Sequence, residues 1–161
     1  MGFLSFIGRV TFSAIFILAA WQKVEDFSID GGGALVGLTP KLDVLLNNIN
    51  ETLYFNLKLP PQLQTKHLLM LAIGLEGIGG LLFTLGSTLG AYMLLLFLAL
   101  VTPIMHDFYN FDHSSLEYHH QFIGFLKNLS QFGALLFYLG MKNSADRNKM
   151  RKKHVTKPKS L

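Results

Sequence analysis

A few charged and amide side chains lie inside long apolar runs of this 161-residue chain, and they are its best candidates for chemistry. Glu76 is the only charged residue between positions 67 and 105. A charge at this depth in a bilayer costs roughly 2.5 kcal/mol or more, so it needs a polar partner, and Arg9 or Lys127 could supply one. The candidate network comprises Arg9, Ser13, Glu76, Lys127, Asn128 and Gln131.

Three interpretations of this network remain open. It can fix the packing of helices, it can line a pocket for a quinone or another lipid, or it can carry protons or ions. A half-polar, half-apolar pocket suits an amphipathic ligand. A proton path is the weakest of the three because Glu76 has no series of further carboxylates beside it.

Four apolar runs must position these side chains, at about 3–22, 67–85, 89–106 and 120–141. Each run is close to the length that a helix needs to cross about 30 Å of hydrocarbon. We therefore predict an all-α fold, a four-helix transmembrane bundle over residues 1–141. A cleaved signal peptide is a weaker interpretation of the first run, because Arg9 interrupts that run and an interface-type Trp21 ends it.

The connection between the first two runs, residues 23–66, contains an additional predicted helix. Thr39 and Pro40 suit the N-cap and first helical positions, and leucines follow at helical spacing. We expect an amphipathic helix at about 40–56, in the first lumenal loop. The glycine run 31–33 fits a flexible linker better than a phosphate loop, since no Gly-Lys-Ser/Thr sequence follows it.

The second loop is rich in histidine and acid. Its polar cluster comprises His106, Asp107, His113, His119 and His120. Imidazole and carboxylate can bind metals, but no fixed ligand spacing is present, so we predict interfacial residues and no metal. The chain has no cysteine and no catalytic constellation that we can identify, which favours a non-enzymatic role.

Charge predicts the orientation. Residues 142–161 carry eight basic residues against one acid, Asp146, whereas the two predicted outer loops are acidic. Basic residues after an apolar helix mark its cytosolic end, so both termini should be cytosolic, with 142–161 as a basic tail. Since the orientation accounts for these basic residues, we predict no nucleic-acid partner.

Several strings of residues resemble those of a known family. They are Met1–Val10, Glu76–Phe83, Leu85–Gly90, Asp107–Asn110 and Gly133–Phe137. The chain is similar to the plant HR-like lesion-inducing proteins, which we associate with the DoxX-like membrane superfamily. This resemblance implies a four-helix membrane protein of the endoplasmic reticulum, linked to cell death in plant defence. It also implies action through a membrane or cargo partner, or as a quinone- or lipid-binding subunit of an oxidoreductase system.

Overall fold

Within the part of the chain that the computed structural model describes, residues 2–27, 32–54 and 64–155, every regular element is helical. The elements are α1 (Phe3–Glu25), α2 (Gly32–Leu53), α3 (Thr65–Thr84), α4 (Thr88–Met105), a 3₁₀ turn (Phe108–Asn110) and α5 (Leu116–Val155). Side chains are described up to residue 152. Of these helices α1, α3, α4 and α5 are long and apolar enough to cross a membrane.

A tight turn joins α3 to α4 and makes them an antiparallel hairpin. Gly86 has φ = 83°, a left-handed conformation that glycine adopts without a steric penalty. The N–H groups of Gly86 and Ser87 donate to the carbonyls of Phe83 and Leu82, at 2.8 and 2.9 Å, which is a Schellman motif. The Ser87 hydroxyl then accepts the N–H of Leu89 at 3.2 Å and begins α4.

Small residues bring α1 close to α3 in an antiparallel arrangement. The Ser13 and Thr84 hydroxyl oxygens lie 2.6 Å apart near one end of this contact. Further along, a Cβ added at Gly77 would lie only 3.2 Å from the Cβ of Ala20. Close approach increases the van der Waals contact between the helices, and in lipid this contact takes the place of the hydrophobic effect.

Helix α5 runs back along α4 and extends past it. Tyr138 donates to the Gly86 carbonyl at 3.2 Å, and Lys142 donates to the same oxygen. The helix has 40 residues, or about 60 Å of length, roughly twice the hydrocarbon thickness. We expected a helix over 120–141 followed by a tail, but α5 starts at Leu116 and continues to Val155. The lysines, arginines, alanine and methionine after position 141 are strong helix formers, which explains the extension.

The core lies where α1, α3, α4 and α5 meet. Its buried members are Phe16, Phe83, Ala91, Leu94, Leu95, Phe97, Leu98, Leu135 and Leu139. Many large apolar side chains point outward instead, among them Leu18 at 62% and Phe137 at 70% exposure. An apolar exterior of this extent is unfavourable in water, and it fits an integral membrane protein.

Helix α2 packs across α3 and α4 and buries Leu38 and Leu42. It begins at Gly32, well before the expected start near residue 40, so Thr39 and Pro40 lie inside the helix instead of beginning it. Burial of Leu38 and Leu42 stabilises the helix despite the low helix propensity of its exposed glycines 33 and 37. Residues 55–56, the predicted end of this helix, lie outside the described residues.

Candidate functional site

A buried ion pair joins α1 to α3. The Lys23 ammonium donates to the Glu76 carboxylate, whose side chain is 4% exposed, while that of Lys23 is 31% exposed. Lys23 lies in the last turn of α1, where a cation is favoured by the helix dipole. Its Nζ also lies 5.6 Å from the centroid of the Phe97 ring on α4. Three helices therefore meet at this pair.

The ion pair lines a cavity of about 520 Å³. Helices α1 to α4 supply a mainly apolar wall, to which Phe16 and Leu69 belong, and α5 adds the amides of Asn128 and Gln131. His106, which follows α4, completes the polar part of the lining. The cavity thus combines two opposite charges, two amides and an imidazole with a larger apolar surface.

The wall between α4 and α5 is held by hydrogen bonds between polar side chains. Asn128 donates from Nδ2 to the Thr102 hydroxyl at 3.2 Å. His106 Nδ1 lies 3.3 Å from Gln121 Oε1, within hydrogen-bonding distance. The His106 ring lies directly on Gly124, where an added Cβ would come within 2.4 Å of the ring. Gly124 therefore provides the space that places His106 at the cavity.

The structure divides the network that the sequence predicts. Glu76, Asn128 and Gln131 line one cavity. Arg9 and Ser13 are buried, but they precede Lys23 by ten residues or more, and Arg9 is about 21 Å away along the helix axis. Lys127 is exposed on α5 and does not line the cavity. The ion pair of Glu76 is formed with Lys23, and this corrects the expectation that Arg9 or Lys127 would supply it.

The predicted polar cluster of the second loop does not converge on one point. Asp107 lies 3.5 Å from Lys41 of α2, which also donates to the Met105 carbonyl at 2.6 Å. The His113 ring packs edge-on against Tyr118 at 4.6 Å between centroids. His119 and His120 are exposed, and only His106 reaches the cavity. Across the described ranges, no group of three His, Asp or Glu side chains could hold a metal ion.

Sequence reasoning missed two parts of the site, Lys23 and α2. The first helix was expected to end near residue 22, yet no helix breaker follows Trp21, and Lys23 continues the cavity-facing spacing of Phe16 and Ala19. Gly33, Ala34 and Gly37 of α2 also line the cavity. Nothing in the spacing of these small residues identifies them as a cavity wall before the fold is known.

A family model matches most of the chain. No curated protein and no solved structure matches the chain. The family model described as HR-like lesion-inducing matches residues 1–141, which include all four predicted membrane helices and every residue of the cavity. This match extends over most of the sequence, and the chain belongs to the HR-like lesion-inducing family.

Proposed function

We propose that this protein binds a lipid-class amphiphile, such as a quinone, in the cavity beside the Lys23–Glu76 pair. The observation that carries the proposal is the cavity itself, in which a buried ion pair borders unfilled apolar space. The head group would lie near Lys23, Glu76 and Gln131, and the tail along the apolar wall. A volume of about 520 Å³ is within the range of sites that hold small organic ligands.

A role in packing alone explains the site less well. The space between packed helices is normally filled to the density of organic crystals. An ion pair that only held helices together would therefore be surrounded by side chains. Here the pair lies against open volume, and glycines and alanines line one side of it. Lys23 and Glu76 thus hold α1 against α3, and in this proposal they also bind the head group of the ligand in the cavity.

Filling the cavity tests the proposal. Gly37 lines the cavity and a Cβ there meets no atom within 4 Å, so Gly37→Phe is the variant chosen to obstruct it. A Cβ at Gly133 on α5 is equally unobstructed, but Gly133 does not line the cavity, which makes Gly133→Phe the matched control. We expect Gly37→Phe to reduce lipid retained through purification in nanodiscs by at least about tenfold, measured by native mass spectrometry, with the control unchanged.

Equal lipid retention by the wild-type protein and Gly37→Phe would contradict the proposal, as would an empty wild-type protein. The folded fraction of both variants is compared by size-exclusion chromatography before the measurement. This separates lost binding from lost folding.

A second candidate function is binding of a membrane or cargo partner. It is favoured by the cationic end of α5, where Arg147, Lys149 and Arg151 are exposed on a helix that continues beyond the apolar core. Acidic segments of another protein are suitable partners for such a surface. In this proposal the protein has no catalytic activity of its own, and its role in plant lesion formation and cell death follows from the partner.

We further propose a location in the endoplasmic reticulum with both termini in the cytosol, and α2 as an amphipathic helix on the lumenal side. The basic end of α5 supports this orientation by the positive-inside rule. The resemblance to DoxX-like proteins supports the membrane bundle and the choice of a quinone as a candidate ligand. Lys157 and Lys159, whose spacing resembles a dilysine retrieval signal of the endoplasmic reticulum, lie outside the described residues.

The absence of cysteine from the sequence makes this orientation measurable. Arg147→Cys and His113→Cys each introduce a single thiol at an exposed position, the first in the C-terminal part of α5 and the second in the loop that precedes α5. In sealed microsomes, a membrane-impermeant maleimide should label the first variant and label the second only after detergent is added. Labelling of the variant at position 113 in intact microsomes would reverse the proposed orientation.

A further inference from the structure

The charges that line the cavity balance each other. Lys23 and Glu76 form an ion pair, and the remaining polar groups of the lining, Asn128, Gln131 and His106, are two neutral amides and an imidazole. A neutral imidazole adds a hydrogen-bond donor and an acceptor to the lining and no charge. The cavity therefore offers hydrogen bonds without a net charge.

From this balance we infer that the cavity selects a lipid with an uncharged head group and that the tail of this lipid leaves between α1 and α5. The inference rests on the proposed function and names the class of ligand. Diacylglycerols, sterols and quinones belong to this class, and phosphatidic acid and free fatty acids do not.

An anionic head group would disrupt the site. It would compete with Glu76 for Lys23, and whichever anion lost would be left in a low-dielectric environment without a counter-ion. Breaking a buried pair in this way is strongly unfavourable, whereas a neutral oxygen can accept a hydrogen bond and leave the pair intact. The ion pair therefore acts as a determinant of specificity as well as a contact between helices.

The packing order of the helices leaves a side of the cavity open. Contacts join α1 to α3, α3 to α4 and α4 to α5, but no comparable contact joins α1 to α5 among the described residues. Ile15 of α1 lines the cavity while 53% exposed, and Gln131 of α5 lines it from the other side of this gap. A tail that passes between these two residues enters the surrounding acyl chains directly.

Photolabelling tests the head group and the exit together. Two probes carry the same diazirine-containing acyl chain, one a diacylglycerol and the other a phosphatidic acid, and an alkyl quinone with a diazirine serves as a second neutral probe. Each is added to the full-length protein in nanodiscs. We expect the better neutral probe to label at least about tenfold more than the phosphatidic acid, with adducts on peptides of α1 and α5 near Ile15 and Gln131.

The outcomes separate this inference from the proposed function. If phosphatidic acid labelled the protein as strongly as the neutral probes or more strongly, and Gly37→Phe abolished that labelling, the neutral-head-group inference would be overturned and lipid binding would stand. If no probe labelled the wild-type protein more than Gly37→Phe, both the inference and the proposed function would be overturned. Adducts confined to α3 or α4 would overturn the exit between α1 and α5.

Changing the charge of the site provides a second measurement. Glu76→Gln keeps the shape of the side chain and leaves Lys23 as an unbalanced cation. The ratio of neutral to phosphatidic acid labelling should then fall by about tenfold or more. An unchanged ratio in a folded variant would overturn the charge argument, and the wild-type comparison of probes stands even if this variant does not fold.

Discussion

Lys23→Met should lower the free energy of unfolding by about 3 kcal/mol, the larger effect of the two single changes at the ion pair. The substitution leaves the Glu76 carboxylate, which is only 4% exposed, without its cation. The carboxylate must then remain charged at low dielectric or take up a proton, and both cost free energy. The measurement is unfolding in mixed micelles with increasing denaturing detergent.

Glu76→Gln should cost less, about 1–2 kcal/mol, because the two partners differ in exposure. The Lys23 side chain is 31% exposed and can move its ammonium toward water when the carboxylate is absent. The double variant Lys23→Met/Glu76→Gln should be more stable than Lys23→Met alone, because no charge remains buried. The wild-type protein and these three variants form a double-mutant cycle, which isolates the free energy of interaction between Lys23 and Glu76.

Lys127→Met is the control for these experiments. Lys127 is also a lysine on a membrane helix, but it is exposed, so its loss should change stability by no more than about 0.5 kcal/mol. A comparable loss of stability in Lys23→Met and Lys127→Met would show that lysine removal in general, not the loss of the pair, is responsible. An unaffected Lys23→Met would contradict the description of a coupled buried pair.

The sequence was sufficient to predict that Glu76 needs a partner but not which residue supplies it. Burial of a charge is a local cost that depends on residue type and depth, and both can be estimated from an apolar run. The choice among Arg9, Lys23 and Lys127 depends on the register between helices. The contact of Ser13 with Thr84 sets that register, and the sequence gives no direct sign of it.

Differences between the predicted and observed helix ends have a similar physical origin. The turn at Gly86 and Ser87 has local signals, a glycine followed by a capping serine, and the two helices there end and begin within two residues of their predicted limits. At α2 the helix already contains the buried Leu38, so it begins before the local signal at Thr39 and Pro40. Local chemistry predicts ends that solvent or lipid surrounds, and it fails where tertiary contacts compensate for poor helix formers.

The contact between α3 and α4 leads to the second large effect, at Gly90. A Cβ at this position would lie 2.3 Å from the backbone nitrogen of Phe83 and 2.7 Å from the carbonyl carbon of Leu82. Because these are backbone atoms, a side-chain rotation cannot relieve the clash, and the two helices must separate. Separation would loosen the core around Ala91 and Leu94, both fully buried.

We therefore expect Gly90→Ala to destabilise the protein by about 3 kcal/mol or to prevent it from folding. The matched control is Gly74→Ala on α3, where an added Cβ meets no atom within 4 Å. Alanine should stabilise the helix there by up to about 1 kcal/mol through its higher helix propensity. Size-exclusion chromatography and thermal unfolding in the same detergent measure both. If Gly90→Ala unfolded at the wild-type temperature, α3 and α4 could not cross as closely as described, and the cavity wall built on them would need a different geometry.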